Sequence, residues 1–249
     1  MTTHDIETRH GKMRVFAEDL WVSRSLLELG EYSEDEYLFL REIIQTLSSR
    51  GGPIEMVEAG AYIGDLTIPL ARIVKHLYAF EPQEEVREVL EYNLEVNRIK
   101  NVTVYPYALG AETGTTYYNV ATGENAGGTL MEATGCPRKD GERKEVQVVT
   151  LDSLNLSPSL IKADIEGMEK DLIMGGLQTL RSTRCPLFVE FDAVVFENTP
   201  PLYEILNNLG YTVFAHFFPF WRELNWKKAK INPFGSVVSK MFYAIPPIE

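Results

Sequence analysis

The stretch VEAGAYIGDLT, residues 57–67, places two glycines at the turn between an apolar strand and a helical segment. Gly60 and Gly64 lie four residues apart, and Glu58 precedes them to give the pattern E-x-G-x-x-x-G. Glycines at such a turn let a ligand approach the backbone closely. The stretch therefore predicts a ligand site at the carboxyl end of a buried strand.

Three kinds of ligand-binding turn compete for this stretch. A dinucleotide-binding turn requires G-x-G-x-x-G, but Tyr62 and Asp65 stand at its second and third glycine positions. A phosphate-binding P-loop fails because both its glycine spacing and its lysine are missing. The third kind is the E-x-G-x-x-x-G turn of S-adenosylmethionine (SAM) enzymes, which Glu58, Gly60 and Gly64 fit.

The charge around the turn favours the third kind. Residues 54–71 contain no Lys or Arg, whereas Glu55, Glu58 and Asp65 lie in or beside the turn. A pyrophosphate would be repelled there, but the sulfonium and ammonium groups of SAM would be attracted. The free N–H groups at the start of the following helix suit the carboxylate of SAM.

Glu81 supports the same interpretation. It ends the next predicted strand, at about the 20-residue spacing from Gly60 where an acidic residue is expected to bind ribose hydroxyls. In the alternative interpretation the glycines only permit a tight turn, and Glu81 caps the helix that follows. The order of the motifs predicts SAM binding and no NAD binding.

Strand and helix patterns alternate on both sides of the turn, which predicts an α/β fold with a doubly wound, mostly parallel, seven-stranded sheet. The last two strands have no helix between them, so we expect them to pair antiparallel, with the last strand at the sheet edge. The predicted strands are 54–59, 76–80, 102–107, 160–165, 187–191, 211–217 and 238–245, and the predicted helices between them are 64–74, 83–97, 168–180 and 202–209.

We expect one domain over residues 1–249, because no linker or repeat divides the chain. Ser33 and Glu36 resemble a capping box that starts a helix running to about Ser49. The expected parts are an N-terminal helical extension and helix (1–50), a SAM-binding half (54–109), a β-hairpin-like insertion (110–147) with its tip at 123–128, and a substrate-side half (160–249).

Composition disfavours two classes of partner. The 249 residues carry a formal net charge of -12, with a sequence pI of about 4.9. Such a charge disfavours binding to nucleic acid or to an anionic membrane surface, and no apolar run is long enough to span a bilayer. The two cysteines form no disulfide framework and the polar start of the chain is unlike a signal peptide, so we expect a cytoplasmic protein.

Several motifs follow one another along the chain: VEAGAYIG, YAFEP, YALG (107–110), TLDSL (150–154), IKADIEGME (161–169) and LFVEF (187–191). Together they resemble the FkbM-type family of SAM-dependent methyltransferases, and DLWVSRSLLELGEYSEDE and NPFG (232–235) also resemble that family. The resemblance implies a class I methyltransferase fold and O-methylation of hydroxyls, often on sugars or polyketide-like natural products. It places Glu58, Gly60, Tyr62 and Gly64 along the methionine part of SAM, Glu81 at the ribose and Ala108 near the adenine.

Carboxylates follow the fourth and fifth strands of the predicted sheet, where they can converge on the reacting methyl group. A hydroxyl acceptor needs its proton removed, and Asp164 is the first candidate for that base, beside the cofactor. Glu190 and Asp192 share a face by the period-two rule and are the next candidates. In the alternatives, Asp164 or Glu166 only caps a helix, and Glu190 pairs with Lys162 in the sheet.

The same residues raise the question of a metal. Asp164, Glu190 and Asp192 could hold Mg²⁺ through oxygen ligands. Their spacing does not require an ion, and we favour metal-free catalysis. The sequence thus predicts a SAM-dependent O-methyltransferase acting on a small molecule or glycan. The alternatives are a SAM-binding module without turnover and a nucleic-acid methyltransferase, which the acidic composition disfavours.

Overall fold

The computed structural model describes residues 1–119, 143–190, 202–217, 220–223 and 241–246. The α-helices of this part are α1 (Val22–Leu29), α2 (Glu34–Gly51), α3 (Thr67–Ala71), α4 (Glu84–Val96), α5 (Glu169–Gly175), α6 (Leu177–Thr183) and α7 (Leu202–Asn208). The strands are β1 (Thr3–Thr8), β2 (Gly11–Phe16), β3 (Glu55–Ala59), β4 (His76–Phe80), β5 (Val102–Tyr105), β6 (Ala108–Leu109), β7 (Gly114–Asn119), β8 (Arg143–Val149), β9 (Leu160–Ala163), β10 (Leu187–Glu190), β11 (Thr212–Phe217), β12 (Phe220–Glu223) and β13 (Met241–Ile245).

The main sheet has the strand order β12-β11-β13-β10-β9-β3-β4-β5. Strands β10, β9, β3, β4 and β5 pair parallel, which confirms the predicted doubly wound, mostly parallel sheet. The seven predicted strands are all present, and β12 adds an eighth strand antiparallel to β11 at one edge.

The predicted position of the last strand is wrong. β13 is antiparallel, as expected, but it lies between β10 and β11 and not at the sheet edge. In this place both rows of its backbone N–H and C=O groups are paired, which an edge strand cannot achieve.

The N-terminal segment contains a β-hairpin that the sequence analysis missed. β1 and β2 pair antiparallel from Thr3 opposite Phe16 to Thr8 opposite Gly11. The hairpin is fixed on α4 by the Asn93 side chain, which accepts from the Arg14 N–H and donates to the Arg14 carbonyl. The helical part of the predicted extension is α1, which follows the hairpin.

The predicted capping box does not form. Ser33 has a left-handed backbone with φ of 52°, and its side chain makes no capping hydrogen bond to α2. Helix α2 nevertheless starts at Glu34, directly after Ser33, and ends at Gly51, two residues beyond the predicted end at Ser49. The side chain of Glu36 is therefore not used to complete a cap, and its position is described with the site below.

Two predicted helices are shorter than their patterns. Helix α3 has five residues and contains Pro69, which removes one backbone donor. The segment 168–180 forms two helices that meet at Gly175 and Gly176. A side chain at Gly175 would overlap the carbonyl group of Gly110, so the close approach of α5 to the second sheet requires glycine there.

The second sheet has the order β6-β8-β7, and its antiparallel β7–β8 pair is the predicted insertion hairpin. The predicted tip at 123–128 and the NPFG motif at 232–235 lie outside the described residues. No helix in the described ranges is both long and apolar enough to cross a membrane.

The two faces of the main sheet bury separate hydrophobic clusters. Met56, Leu160 and Phe188 face α2 and α3 in one cluster, while their neighbours along the strands belong to the other. Because side chains alternate along a strand, residues two positions further on share the face of α2. This alternation directs Glu58 and Lys162 toward α2 at the carboxyl ends of their strands.

Candidate functional site

The glycine turn connects the ends of three neighbouring strands. The N–H groups of Gly60 and Ala61 both donate to the Phe80 carbonyl, at 3.0 and 3.1 Å. Gly60 has φ of 80°, and a Cβ at this position would overlap the backbone carbonyl oxygen of Asp164. Gly64 has φ of 91°. Both glycines are thus required by backbone conformation, and the first also by the close approach of β9.

Glu81 fastens this turn to the end of β4. Its carboxylate accepts the Tyr62 N–H at 3.0 Å and the Gln83 N–H at 2.9 Å. Burial raises the pKa of Glu81 to about 7, although the two backbone donors oppose that shift. Each carboxylate oxygen can accept a second hydrogen bond, so the predicted ribose contact is compatible with the observed backbone contacts.

The side chain of Tyr62 points away from the turn toward the N-terminal segment. Its hydroxyl donates to Asp19 Oδ2 at 3.0 Å. Asp19 also accepts the N–H groups of Trp21 at 3.1 Å and Ser23 at 2.8 Å. We expected Tyr62 along the methionine part of SAM. In the structure its backbone lies in the glycine turn, and its side chain links that turn to the start of α1 through Asp19.

A buried lysine lies among the acidic residues of the site. Lys162 stands opposite Glu58 in the β3–β9 register, and the two residues are only 3% and 1% exposed. The Lys162 ammonium lies 3.5 Å from Asp164 Oδ2. Glu58 accepts a hydrogen bond of 2.7 Å from the Thr67 hydroxyl. The predicted residues Glu58 and Asp164 are therefore brought together around Lys162, which the sequence analysis considered only as a partner of Glu190.

Two further carboxylates act on the same lysine, Glu36 from α2 and Asp65 from the glycine turn. Burial raises the pKa of Glu36 to about 7 and that of Asp65 to about 6. The pKa of Glu58 is likewise raised to about 7, first by burial. Burial alone would lower the pKa of Lys162, but Asp164, Glu58, Glu36 and Asp65 together raise it above its ordinary value. These four carboxylates and Lys162 are called the acidic cluster below.

The acidic cluster carries more negative charge than its one lysine can balance. Carboxylates that share a buried region favour either a proton or an additional cation. Tyr32 lies beside the cluster, 38% exposed, and burial together with the charges of Asp65, Asp164 and Glu36 raises its pKa to about 12. The arrangement suits a cationic ligand at the carboxyl ends of β3 and β9.

The remaining predicted residues lie around this centre. Ala108 is buried in β6, where it packs in one cluster with Tyr118 and Met168. Glu190 ends β10, one residue beyond the β9–β10 pairing, and is half-buried. Asp192 lies outside the described residues.

A further acidic residue, Glu169 in the first turn of α5, binds the loop between Asp164 and that helix. Glu169 is 2% exposed and accepts the N–H groups of Ile165 at 2.8 Å and Gly167 at 3.0 Å. Burial raises the pKa of Glu169 to about 7. An acidic residue in the first turn of α5 was the available signal, since such residues commonly bind free N–H groups.

In the part of the chain that the structure describes, no group of three or more His, Cys, Asp or Glu side chains is arranged to hold a metal ion. Asp192, the third ligand in the magnesium alternative, is not in that part.

The sequence model of the methyltransferase FkbM domain matches residues 58–224, which is more than half of the chain. The chain belongs to the FkbM methyltransferase family. The family match begins at Glu58 and includes the glycine turn, Glu81 and Asp164. It leaves out the N-terminal hairpin and α2, which contributes Glu36 to the acidic cluster.

Solved structures resemble this FkbM methyltransferase at low identity. Methyltransferase FkbM from Methylobacillus flagellatus KT has a TM-score of 0.50 and 17% identity, with 77% of this chain and 43% of that chain covered. An rRNA methylase from Streptococcus thermophilus has a TM-score of 0.49 and 12% identity, with 86% and 95% covered. Magnesium protoporphyrin IX methyltransferase from Synechocystis PCC 6803, solved with bound SAM, has a TM-score of 0.43 and 12% identity, with 85% and 80% covered.

The fold is therefore the class I, Rossmann-like methyltransferase fold. The chain spans less than half of the Methylobacillus protein. No curated protein sequence matches the chain.

Proposed function

We propose that this FkbM-family protein is a SAM-dependent O-methyltransferase that acts on a hydroxyl of a small molecule or glycan. The observation that carries the proposal is the acidic cluster beside the glycine turn, in which the charges of four carboxylates act on the buried Lys162. The cluster combines excess negative charge with a close approach of backbone at Gly60.

The residues of the site fit SAM by charge and hydrogen bonding. Glu58 and Asp65 would hold the cationic side of its methionine part, because a buried carboxylate gains most from a positive partner. Glu81 would accept from the ribose hydroxyls through the acceptor positions that Tyr62 and Gln83 leave. Ala108 would lie near the adenine. When bound, SAM supplies a methyl group made electrophilic by a positively charged sulfur.

The protein's task in methyl transfer is to align the acceptor and to exclude water. Asp164 directly follows β9 and Glu190 ends the neighbouring strand β10, so we place the acceptor hydroxyl beside them. The ion pair with Lys162 holds the Asp164 carboxylate in place. A phosphorylated or carboxylated acceptor would be repelled by the acidic cluster, which favours a neutral hydroxyl.

Nucleic acid is a weaker candidate for the acceptor. The net charge of -12 opposes phosphate binding, and no part of the site described above presents a group of free cations. The cytoplasmic location expected from the two cysteines remains a prediction.

Calorimetry with S-adenosylhomocysteine and with NAD tests the cofactor. We expect binding of the first alone, and tight NAD binding without any response to S-adenosylhomocysteine would contradict the proposal. Methyl-labelled SAM is then supplied with a panel of sugars, phenols and alkyl alcohols, with a small-molecule extract, and with ribosomal RNA. A labelled methyl ether on a small molecule supports the proposal. Labelled RNA would make the protein a nucleic-acid methyltransferase, and cofactor binding without any labelled product would make it a binding module.

A further inference from the structure

Lys162 places a positive charge inside a site whose proposed cofactor is itself a cation. The residue is 3% exposed and stands opposite Glu58, which is 1% exposed, in the β3–β9 register. Its ammonium lies 3.5 Å from Asp164 Oδ2. Lysine is almost never fully buried without a negatively charged partner, because taking its charge out of water is costly. An apolar side chain would fill the same strand position without that cost, so the charge itself needs an explanation.

The position of Lys162 is fixed beside the glycine turn. The Asp164 N–H donates to the Ala59 carbonyl at 3.0 Å, and a Cβ on Gly60 would overlap the Asp164 carbonyl oxygen. The backbone of Asp164 therefore contacts the turn while its side chain pairs with Lys162. Glu58, the other neighbour of the lysine, belongs to β3 and lies just before Gly60. Lys162 is thus next to the turn that would hold the methionine part of SAM.

SAM and its product differ in the charge that faces this lysine. S-adenosylhomocysteine has the same amino, carboxylate, ribose and adenine groups as SAM, but its sulfur is neutral. Contacts with the shared groups strengthen the binding of both ligands, so the ratio of the two affinities reports the charge that the site presents to the sulfur. The carboxylates of the acidic cluster favour the positive sulfur of SAM, and Lys162 opposes them.

We propose that Lys162 is the resident counter-ion of the site and sets its preference for SAM over S-adenosylhomocysteine; this inference rests on the proposed SAM-dependent function. With Lys162 in place, Glu58 and Asp164 keep a positive partner before SAM binds and after the methyl group has left. Asp164, the first candidate for the base, therefore stays ionised in both states. The same ammonium weakens the attraction of the cluster for the positive sulfur, which limits how far SAM is preferred to its product.

The protonation states agree with this assignment. Burial alone would lower the pKa of Lys162, but Asp164, Glu58 and the other carboxylates of the cluster raise it above its ordinary value. The lysine is therefore charged throughout the neutral range. In return, Lys162 opposes the burial that raises the pKa of Glu58 to about 7. Loss of the lysine would raise that pKa further, and at neutral pH a proton would replace part of the missing charge.

The test measures the dissociation constants of SAM and S-adenosylhomocysteine by calorimetry, without an acceptor. At about pH 8.5 the cluster of the wild type is ionised, since burial raises the pKa of Glu58 and of Glu36 only to about 7. Lys162→Met should raise the preference for SAM roughly tenfold, the effect of one unit charge several ångströms away at intermediate dielectric. Lys75→Met is the control and should leave the ratio unchanged, because the Lys75 side chain is 58% exposed and pairs at 2.7 Å with Glu55, at the opposite end of β3.

A second variant covers the case in which Lys162→Met does not fold. Glu58→Gln combined with Lys162→Met removes one charge of each sign from the same register pair, so the balance of buried charge is kept. Glu58→Gln alone should lower the preference for SAM, and the added Lys162→Met should raise it again by roughly tenfold. Thermal unfolding verifies that each variant is folded.

An unchanged affinity ratio in folded Lys162→Met would overturn the assignment, and so would equal ratios in Glu58→Gln and the double variant. A wild-type protein that binds neither ligand would instead remove the proposed SAM-dependent function. Binding of both ligands with no methylated hydroxyl would contradict the proposed acceptor, whereas the affinity ratio would still decide the role of Lys162.

Discussion

The Tyr62 hydroxyl donates to Asp19 at 3.0 Å, and this contact joins the glycine turn to the N-terminal segment. Asp19 is 2% exposed and also accepts two N–H groups at the start of α1. Burial and the Asp19 charge raise the pKa of Tyr62, so the phenol remains a donor across the neutral range. The order of α1 and the shape of the turn are therefore coupled.

Tyr62→Phe should lower the free energy of unfolding by about 1.5–3 kcal/mol, because a hydrogen bond to a buried charged group is lost. Tyr92→Phe is a matched control, since the Tyr92 hydroxyl donates to Asp5 at the surface, where such contacts contribute about 1 kcal/mol or less. Urea unfolding of both variants measures the difference. Equal losses of unfolding free energy in the two variants would show that the Tyr62–Asp19 hydrogen bond stabilises the protein no more than a surface contact does.

Gly60→Ala should destabilise the protein by more than about 2 kcal/mol, because it combines a left-handed backbone with an overlap against the Asp164 carbonyl. Gly51→Ala is the control, since a Cβ there meets no atom within 4 Å. That change should be neutral or stabilising by up to about 1 kcal/mol, as alanine favours a helix. Thermal unfolding distinguishes the variants, and a tolerated Gly60→Ala would contradict the close approach of β3 and β9.

Glu81→Gln should weaken S-adenosylhomocysteine binding by about 1.5–3 kcal/mol, the worth of a hydrogen bond to a charged acceptor. Glu169→Gln is the control for structural effects, because Glu169 also accepts two backbone N–H groups and has a pKa raised by burial to about 7. Calorimetry should find weaker binding in the first variant alone. An equal affinity in both would leave Glu81 with only its backbone contacts to Tyr62 and Gln83.

Stability should increase as the pH falls from about 8 to about 5.5, because the pKa values of Glu58, Glu81 and Glu169 are about 7 in the folded chain. Their ordinary value is about 4.3, so the folded state binds these protons more tightly. The stabilisation that these three carboxyl groups contribute is fully present below their pKa in the unfolded chain, and it is lost as the pH rises through their folded pKa of about 7. Urea unfolding at both pH values tests this expectation. A higher stability at the more alkaline pH would show that these carboxyl groups are solvated.

Methyl transfer should continue in EDTA, since we propose a carboxylate base and no metal. Added Mg²⁺ should not raise the rate, and Asp164→Asn should lower turnover without changing the EDTA response. Abolished activity in EDTA that Mg²⁺ restores would support the set Asp164, Glu190 and Asp192 as ligands.

The sequence predicts the central elements well, because their signals are local. β4 has the predicted bounds 76–80, and α4 differs from the predicted 83–97 by one residue at each end. The hairpin of β1 and β2 was missed because β1 has no fully buried residue and so no apolar alternation. Its position is set instead by the side chain of Asn93, far away in the chain.

The same distinction applies to the site. The pattern of Glu58, Gly60 and Glu81 could be recognised from the sequence, because most of the residues that form the turn belong to one strand–turn–helix unit. Glu36 looked like part of a helix cap, since nothing in its neighbourhood reveals that α2 packs on the face of the sheet that buries Met56, Leu160 and Phe188. Lys162 was considered only as a partner of Glu190 in the sheet, for the same reason. Both join the site through contacts between distant parts of the chain.

The position of β13 has a consequence for how the protein is made. β11 reaches the parallel part of the sheet only through β13, which pairs with β10 on its other side. During translation β11 therefore cannot join the main sheet until residue 245 has left the ribosome. The segments that carry the glycine turn can fold earlier, since β3, β4, β5 and β9 pair without β13. Until then the open side of β10 is an unpaired edge that nascent chains can mispair.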